Sequence, residues 1–445
     1  MNTRTVSIKL NTVIDLQYWL LVFLYRLVLD LAYWKIISTV YRYAGFYNNA
    51  SALSLILSWI LFFVFSAIGK TFYDNRNNKL SGEIFFIFFL ISVVPFTSMT
   101  AFLAFGYAFV LANTVFWLLL FGFSRLFDWE KRPARLSLDG IRIEGDFEII
   151  ALALLLFLTV LFISGRYTGF RFNLSLTNVY ELRSEAKSFS MPTLLKYVFS
   201  WSRMLNSIIV AYFIRRKKWM FVGLGILIQL LSFGIDGSKT TLLLLLATVA
   251  ISLLPRFTFC TLNKWILTSF FALALAATML GIFTSSIMPV SLFVRRMMFL
   301  PVQLESFYYD FFSTHVPDFY RQSFMRHFGL TSPYPSIPYM IGDVYLHEQT
   351  SSNNGMISDA MANLGYAGIL IFPLLCSYVF GLLDRSARGL DHRICITVAL
   401  YTAVVLTNSF LFTVLMTHGL ILTMIVLALM RRDRGRGITG GASSL

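Results

Sequence analysis

Long apolar stretches separated by short polar segments dominate the chain. They approach the roughly 20 mostly apolar residues that a helix needs to cross a bilayer, and they lack the period-two alternation of strands. Only helices and closed barrels satisfy their backbone inside lipid, so the pattern predicts helices. The predicted spans are 14–34, 51–69, 83–98, 103–123, 148–165, 196–214, 219–235, 240–254, 264–285, 365–383, 393–410 and 412–430. The chain is therefore predicted to be all-α, a polytopic transmembrane helical bundle of about twelve spans that forms one integral membrane domain over 1–445.

Positive charge sets the predicted orientation of these spans. The chain has 37 Lys and Arg against 22 Asp and Glu, a net charge of +15. Cytoplasmic loops of membrane proteins carry an excess of Lys and Arg, and most of these residues fall in segments that an N-in, C-in topology places inside. The runs 215–218 and 431–436 are the strongest anchors. The charge therefore indicates topology and contacts with membrane lipids, and no nucleic-acid partner is expected.

Composition excludes several other classes of protein. Hydrophobic residues make up 57% of the chain and charged residues only 13%, which excludes an ordinary soluble enzyme and a disordered chain. The three cysteines lie in or beside apolar stretches, so neither a disulfide nor a Cys-ligated metal is expected. Within the first span, Arg26 and Asp30 are four residues apart and are expected to neutralise each other. The C-terminal residues 437–445 are predicted to be a flexible tail.

Two long polar segments, 166–195 and 286–364, carry the candidate chemistry and are predicted to be periplasmic loops that contain short helices. Loops of this length are uncommon unless they are functional or disordered. In the first loop, the stretch NVYELRSEAK has helical spacing and contains Arg183, and Arg166 and Arg171 precede it. One interpretation is a solvated helix with local ion pairs. The other is a cationic site for a polyprenyl pyrophosphate, because the planar arginine fork binds phosphate oxygens in pairs.

The second loop begins with a predicted interfacial helix over 293–312 and then becomes polar. Its candidate substrate-binding residues are Arg295, Arg296, Tyr309, His327, Tyr345, Asn353 and Asn354, and its candidate catalytic residues are Arg321, Arg326, Asp343, Glu348 and Asp359. Amides and carboxylates bind sugar hydroxyls, and one carboxylate can deprotonate an attacking hydroxyl. The alternative for 353–360 is a helix start, with Asn353 or Ser358 as the cap. The histidine spacing matches no metal motif, so no metal and no cofactor is expected.

Three segments resemble a known family. NVYELRSE in the first loop, VRRMMFLPVQLESFYYDFF, and NNGMISDAMANLGYAGI are similar to the Wzy-type oligosaccharide repeat unit polymerases, the O-antigen and capsule polymerases of bacteria. The layout of about a dozen spans with two long periplasmic loops is similar as well. Some members of that family carry Arg followed after ten residues by Gly in both loops. No loop arginine of this chain does so, and the arginine roles of that subgroup are not carried over.

The resemblance implies a GT-C-like, metal-independent glycosyltransferase of the bacterial inner membrane with its active site facing the periplasm. Such enzymes transfer a glycan from undecaprenyl pyrophosphate to the non-reducing end of another lipid-linked repeat unit, and a separate chain-length regulator modulates the polymer. Carried onto this sequence, five arginines would hold pyrophosphate: Arg183, Arg295, Arg296, Arg321 and Arg326. Asp359 would be the base, with Glu348 or Asp343 as substitutes. Asn353, Asn354 and Tyr345 would contact sugar.

Other functions remain open at this point. An O-antigen ligase, or another polyprenyl-phosphate-dependent glycosyltransferase, shares the topology and the arginine chemistry and differs in its acceptor. A transporter or flippase of lipid-linked sugars would have charges in many spans and two pseudo-symmetric halves, and the sequence has neither.

Overall fold

The computed structural model describes residues 3–75, 77–126, 146–171, 179–254, 258–284, 286–347 and 350–430, and the side chains of 3–14, 126, 179–181, 183 and 187 lie outside this description. No strand occurs among these residues. The helices are α1 (Thr3–Ala32), α2 (Ala52–Asp74), α3 (Leu80–Phe102), α4 (Tyr107–Leu126), α5 (Phe147–Ile163), α6 (Val179–Ser188), α7 (Thr193–Arg215), α8 (Trp219–Asp236), α9 (Lys239–Leu253), α10 (Phe259–Thr284), α11 (290–314), α12 (Ile337–Leu346), α13 (Met356–Leu364), α14 (Tyr366–Ala387), α15 (His392–Leu406), α16 (Leu411–Met416) and α17 (Leu420–Leu429).

Seven helices in the described part of the chain are long and apolar enough to cross a membrane. They are Ala52–Asp74, Leu80–Phe102, Tyr107–Arg125, Phe147–Thr168, Trp219–Asp236, Phe259–Thr284 and Tyr366–Ala387, and α9, α15 and α17 are shorter apolar helices. The predicted class, an all-α protein with transmembrane helices, is confirmed. The count of about twelve spans, their orientation and the periplasmic side of the two loops stay predictions. The predicted tail 437–445 lies outside the described residues.

The predicted span 412–430 is wrong as a single helix. The segment consists of two short helices, α16 and α17, with a break between Met416 and Leu420. Gly419 adopts a left-handed conformation there with a φ of 79°. The indole of Trp201 fills the space beside it and donates a hydrogen bond from Nε1 to the carbonyl of Met416 at 2.7 Å. A side chain from another helix thus satisfies the backbone at the break, which no local pattern foretells.

The chain divides into two compact units. Unit 1 comprises Met1–Phe127, Phe257–Phe380 and Ala403–Phe412, and unit 2 comprises Asp128–Arg256, Gly381–Thr402 and Thr413–Leu445. In unit 1, α3 is the central helix, because its most apolar stretch is entirely buried. Beside it the expected ion pair of α1 is confirmed, with Arg26 Nε 2.7 Å from Asp30 Oδ1. The guanidinium also donates to Thr97 Oγ1, so the pair belongs to a buried polar network.

Helix α11 packs against several other helices of unit 1. Its Phe299 packs edge-on against Tyr33 beyond the end of α1, and its Tyr309 packs against Phe109 near the start of α4 and against Tyr366 at the start of α14. The predicted interfacial helix 293–312 is therefore confirmed as a helix, with bounds at 290 and 314.

Unit 2 is built around α5, α7, α8 and α9. Asn206 of α7 donates to the carbonyl of Gly225 in α8 at 2.8 Å, and the missing side chain of this glycine lets the two helices approach closely. An ion pair joins Arg203 of α7 to Asp236 at the end of α8. The part of NVYELRSEAK that the structure describes, from Val179 onward, lies in α6, as its spacing predicts.

Candidate functional site

Asp359 lies in α13 and is completely buried. Its Oδ2 accepts a hydrogen bond from the backbone N–H of Leu411 at 2.6 Å, and its Oδ1 accepts one from the side-chain amide of Asn363 at 2.7 Å. Burial raises the pKa of Asp359 to about 7, against the effect of both bonds, which favour the ionised form. The carboxyl has no exposed surface, so it does not face a substrate hydroxyl in this conformation. Its role as a base stays a prediction.

The start of α13 differs from the expected cap. Gly355 is the N-cap residue and no side chain caps the helix, so the prediction that Asn353 or Ser358 caps it is wrong. A Cβ on Gly355 would lie 2.4 Å from the carbonyl oxygen of Leu406, so only glycine fits at this approach of two backbones. Asn354 is buried instead, and its amide donates to Pro301 O at 2.9 Å and to Ser358 Oγ at 2.8 Å. Asn353 is exposed.

Residues 317–322, here called the Arg321 turn, have an unusual backbone. Phe319 and Tyr320 have φ values of 52° and 60°, in the left-handed region that bulky residues rarely adopt. Each such residue costs about 1–3 kcal/mol and persists only where its surroundings hold it. Residues near the end of α13 do so: Asp318 N–H donates to Ala362 O at 2.7 Å, and Phe319 N–H to Asn363 O at 3.1 Å. Tight packing and hydrogen bonds thus hold a strained turn directly before an arginine.

The guanidinium of Arg321 is fixed by the same turn. Its Nε donates to the carbonyl of Asp318 at 2.6 Å and its Nη2 to the carbonyl of Pro317 at 2.9 Å. The Nε also lies 3.9 Å from Oδ1 of the buried Asp318 carboxylate, so this edge of the guanidinium has an ion-pair partner within the turn. Its Nη1 has no acceptor among the described residues, and the side chain is 23% exposed. A guanidinium held on one edge by backbone carbonyls presents its other edge to an anion, and this arrangement reduces the entropy lost on binding.

Arg321 and Arg326 line one cleft of about 450 Å³, here called the arginine cleft. Its other lining residues are Gln322, Gly329, Leu330, Thr331, Ser332, Tyr334, Pro335 and Ser336. Arg326 is exposed on a short 3₁₀-helix, Phe324–Phe328, and has no ion-pair partner in the described part of the chain. The cleft therefore combines two arginines with hydroxyl and amide groups, a set that suits a phosphate or pyrophosphate group.

Buried polar side chains hold the walls of the arginine cleft. Asp318 is 1% exposed, and its carboxylate accepts hydrogen bonds from Ser332 Oγ and from the backbone N–H of Gln322. The side chain of Gln322 donates to Tyr334 O at 2.8 Å and accepts from the N–H of Ile337 at 3.2 Å. These bonds join the Arg321 turn to the segment that leads into α12, so the cleft keeps its shape without a ligand.

The remaining candidates of the second loop lie around this cleft or along α11. His327 and Asp343 are exposed, the former beside Arg326 and the latter on α12. Tyr345 stacks on Phe307 and donates to Asp310 Oδ2 at 2.6 Å. Burial, followed by this contact with Asp310, raises the pKa of Tyr345. Its hydroxyl hydrogen is thus already engaged within the protein. Glu348 lies outside the described residues.

The candidates on α11 lie apart from the lining of the arginine cleft. The guanidinium of Arg295 stacks 4.2 Å from the ring of Tyr41, and partial burial lowers its pKa. Arg296 is exposed. Tyr309 lies between the aromatic rings of two other helices, and burial raises its pKa to about 12. These residues form part of an aromatic and cationic surface typical of a membrane interface.

The first-loop candidates belong to unit 2. Arg166 is exposed beside Tyr167, and Arg171 pairs with Glu185 of α6 at 2.6 Å. The pair fits the interpretation of this segment as a helix with local ion pairs. Arg183 belongs to α6, and its side chain lies outside the described residues.

Three further residues shape the site and were missed in the sequence: Asp318, Gln322 and Asn363. Pro317-Asp318 is a turn pattern that could have pointed to the first. Nothing local marks Asn363, because its side-chain oxygen accepts from the N–H of Tyr320, 43 residues away, at 2.9 Å. Glu305 of α11 is a buried carboxyl as well. Its pKa is raised by burial to about 8, and Asn113 donates to it at 2.7 Å.

Among the described residues, no group of three or more His, Cys, Asp or Glu side chains lies close enough together to hold a metal ion. Comparison of the chain with protein-family models, with curated proteins and with solved structures finds no match.

Proposed function

We propose that this protein polymerises undecaprenyl pyrophosphate-linked oligosaccharide repeat units at the periplasmic face of the bacterial inner membrane. It transfers the lipid-linked glycan to the non-reducing end of another lipid-linked repeat unit, as in the synthesis of an O-antigen or a related surface polysaccharide. The proposal joins the sequence resemblance to one structural observation, which is the arginine cleft next to the end of α11.

The arginine cleft supports the proposal because its chemistry suits the leaving group of such a reaction. Arg321 is held by two backbone carbonyls, and Arg326 is exposed in the same cleft. Pyrophosphate departs with the electron pair of the broken bond, and the two arginines, of which Arg321 is held in place, stabilise the charge that develops on it. No nucleotide and no metal is needed for this step.

The reaction requires two lipid-linked substrates and one carboxylate of the chain, and its atoms and charges balance with these alone. The bond between the anomeric carbon and the pyrophosphate oxygen breaks, and a bond forms between that carbon and a hydroxyl oxygen of the acceptor sugar. The hydroxyl proton passes to a carboxylate, and undecaprenyl pyrophosphate leaves. Positioning of the two substrates supplies much of the rate in such transfers.

Asp343 is the described carboxylate best suited to receive this proton. It is exposed on α12, and this helix begins directly after Ser336, which lines the arginine cleft. Asp359 is the alternative, and it requires a rearrangement that opens its buried site. Glu348 remains a third candidate. A chain-length regulator is the expected protein partner, and membrane lipids surround the apolar helices.

Reconstitution tests the proposal. Purified protein in lipid vesicles is mixed with the undecaprenyl pyrophosphate-linked repeat unit alone, and the products are separated on a gel. We expect a ladder of multiples of the repeat unit, which disappears for Arg321→Ala and persists for Lys264→Ala, an exposed cation of α10 outside the cleft. A single band from folded protein contradicts the proposal. A product that forms only when a core lipid is added identifies a ligase.

A further inference from the structure

The Arg321 turn contains two successive bulky residues in the left-handed region, Phe319 and Tyr320. A free chain of this sequence populates such a conformation rarely. Because Arg321 donates to carbonyls of the same turn, the position of its guanidinium depends on the turn. Whatever holds Phe319 and Tyr320 therefore also sets where the guanidinium points.

Asn363 makes two contacts with this turn. Its backbone carbonyl accepts from the N–H of Phe319 at 3.1 Å, and its side-chain Oδ1 accepts from the N–H of Tyr320 at 2.9 Å. The residue is 4% exposed, so water does not compete for these bonds. The side-chain bond is the one that a substitution removes.

Asp359 orients the amide of Asn363. The amide nitrogen donates to Asp359 Oδ1 at 2.7 Å, so the amide oxygen faces the opposite way, toward Tyr320. The carboxylate oxygen of Asp359 accepts a hydrogen bond from the amide nitrogen of Asn363. If the amide were turned around, the carboxylate oxygen and the amide oxygen would repel each other. The orientation of the amide is therefore determined by its partners.

We propose that Asn363 is a positioning residue, oriented by Asp359, that holds Tyr320 in its left-handed conformation and thereby aims Arg321 into the arginine cleft for a pyrophosphate group. The proposal rests on the proposed function, since it assigns the task of the turn to anion binding. It gives Asp359 a role that its complete burial permits, because it acts through Asn363 without touching the substrate.

The test uses inorganic pyrophosphate as the probe and measures its affinity for the detergent-solubilised full chain by calorimetry. Asn363→Ala removes the acceptor for the N–H of Tyr320, and we expect at least tenfold weaker binding. Phe319→Gly supplies a residue that adopts a positive φ without strain. Phe319 is half exposed, and its ring lies 5.8 Å from the guanidinium of Arg321, so the single variant Phe319→Gly is measured as the reference for the loss of this contact. We expect the double variant Asn363→Ala/Phe319→Gly to bind within about threefold of Phe319→Gly.

A matched control separates positioning from general stability. Asn206 is also completely buried and donates to a backbone carbonyl, but it belongs to unit 2. Asn206→Ala should lower the melting temperature and leave pyrophosphate affinity unchanged. Hydrogen exchange at the amide of Tyr320 should quicken in Asn363→Ala and stay unchanged in Asn206→Ala.

The outcomes are distinguishable. If the wild type binds pyrophosphate and Asn363→Ala binds it equally well, the positioning role is overturned and the proposed function stands. The same holds if Asn363→Ala weakens binding at least tenfold in the Phe319→Gly background as well. Unchanged hydrogen exchange at Tyr320 in Asn363→Ala overturns the positioning role as well. Absence of pyrophosphate binding by the folded wild-type protein overturns anion binding in the arginine cleft, and the positioning role falls with it.

Discussion

Two buried carboxyls of unit 1 share the same chemistry and differ in what they hold. Glu83 at the start of α3 accepts from the side-chain amides of Asn75 and Asn263, and Asp359 accepts from Asn363 and from the backbone N–H of Leu411. Both carboxyls are completely buried. Each satisfies at least one oxygen with amide donors, which is how folded proteins accommodate such groups.

The amides around Glu83 hold helices and the short turn between α2 and α3, where Asn75 has a φ of 33°, a conformation that asparagine tolerates. Asn263 of α10 also donates to the carbonyl of Tyr73 near the end of α2 at 3.0 Å, so this cluster joins α2, α3 and α10. The side chain of Asn363, beside Asp359, instead also accepts from the N–H of Tyr320, which lies in a strained turn that carries the partly exposed Arg321. A buried carboxyl with amide partners is thus a structural device in itself. Its connection to a strained surface turn makes the second cluster a candidate for function.

The largest expected effect lies at the arginine that this connection serves. We expect Arg321→Ala to abolish polymer formation and to weaken pyrophosphate binding by at least a hundredfold, because the variant loses the fixed cation. Arg321→Lys should recover only part of the affinity, since an ammonium group cannot form the paired contacts of a guanidinium. Calorimetry with inorganic pyrophosphate measures both. Glu83→Gln is the matched control in the other cluster, and a similar loss in that variant would remove the contrast between the two clusters.

The next largest effect concerns stability. Asp359→Ala leaves the N–H of Leu411 without its acceptor, and the Asn363 amide keeps only its weaker bond to the backbone carbonyl of residue 359 at 3.2 Å. Each unsatisfied buried group costs about 1–3 kcal/mol. We therefore expect Asp359→Ala to destabilise the fold by about 4 kcal/mol, and Glu83→Ala by a similar amount, as measured by thermal unfolding in detergent. Only the Asp359 variants should also weaken pyrophosphate binding. Equal binding losses in both variants would show that stability alone controls affinity.

The apolar pattern of the sequence predicts most of the helices well. The span 219–235 is observed as Trp219–Asp236, and the span 83–98 as Leu80–Phe102. These segments are long and continuously apolar, so their own composition determines them. The break between α16 and α17 escapes prediction because Trp201, over 200 residues away, satisfies the backbone there.

Of the candidate site, the sequence predicts only the charged residues at the surface. Arg321 and Arg326 stand out in the sequence because an arginine in a long loop has few structural reasons to be there, and the structure brings both to one cleft. The residues that shape the cleft do not stand out. Asn363 faces Tyr320 only because the chain folds back over 43 residues, and no periodicity of strands or helices records that contact.

The stability of the fold is also expected to depend on pH through Asp359. The pKa of Asp359 is raised by burial to about 7 in the folded protein, above its ordinary value near 3.9 in the unfolded chain. Between these values the folded state binds more protons than the unfolded state, so stability falls as pH rises from about 4 to about 7 and levels off above it. We expect a total change on the order of 4 kcal/mol, which is absent in Asp359→Asn. The measurement is the stability of the wild type and of Asp359→Asn as a function of pH. If both proteins show the same dependence between about pH 4 and about pH 7, the raised pKa of Asp359 is contradicted.

The smallest effect tests the strain at Phe319, since the Arg321 turn has bulky residues at positive φ where the Glu83 cluster has the more tolerant Asn75. Phe319→Gly removes a bulky residue with a φ of 52°, and the gain from relieved strain exceeds the entropy that glycine adds to the unfolded chain. We expect this variant to be more stable than the wild type by about 0.5–1 kcal/mol. Gly329→Ala is the opposite change: it places a Cβ at a φ of 80° beside the same cleft, with no neighbouring atom to contact, and should destabilise by about 1 kcal/mol. Thermal unfolding measures the change in stability of both variants. If Phe319→Gly is instead destabilising, the ring of Phe319 contributes more through its packing than its backbone loses through strain, and the turn is held by side-chain contacts more than by Asn363.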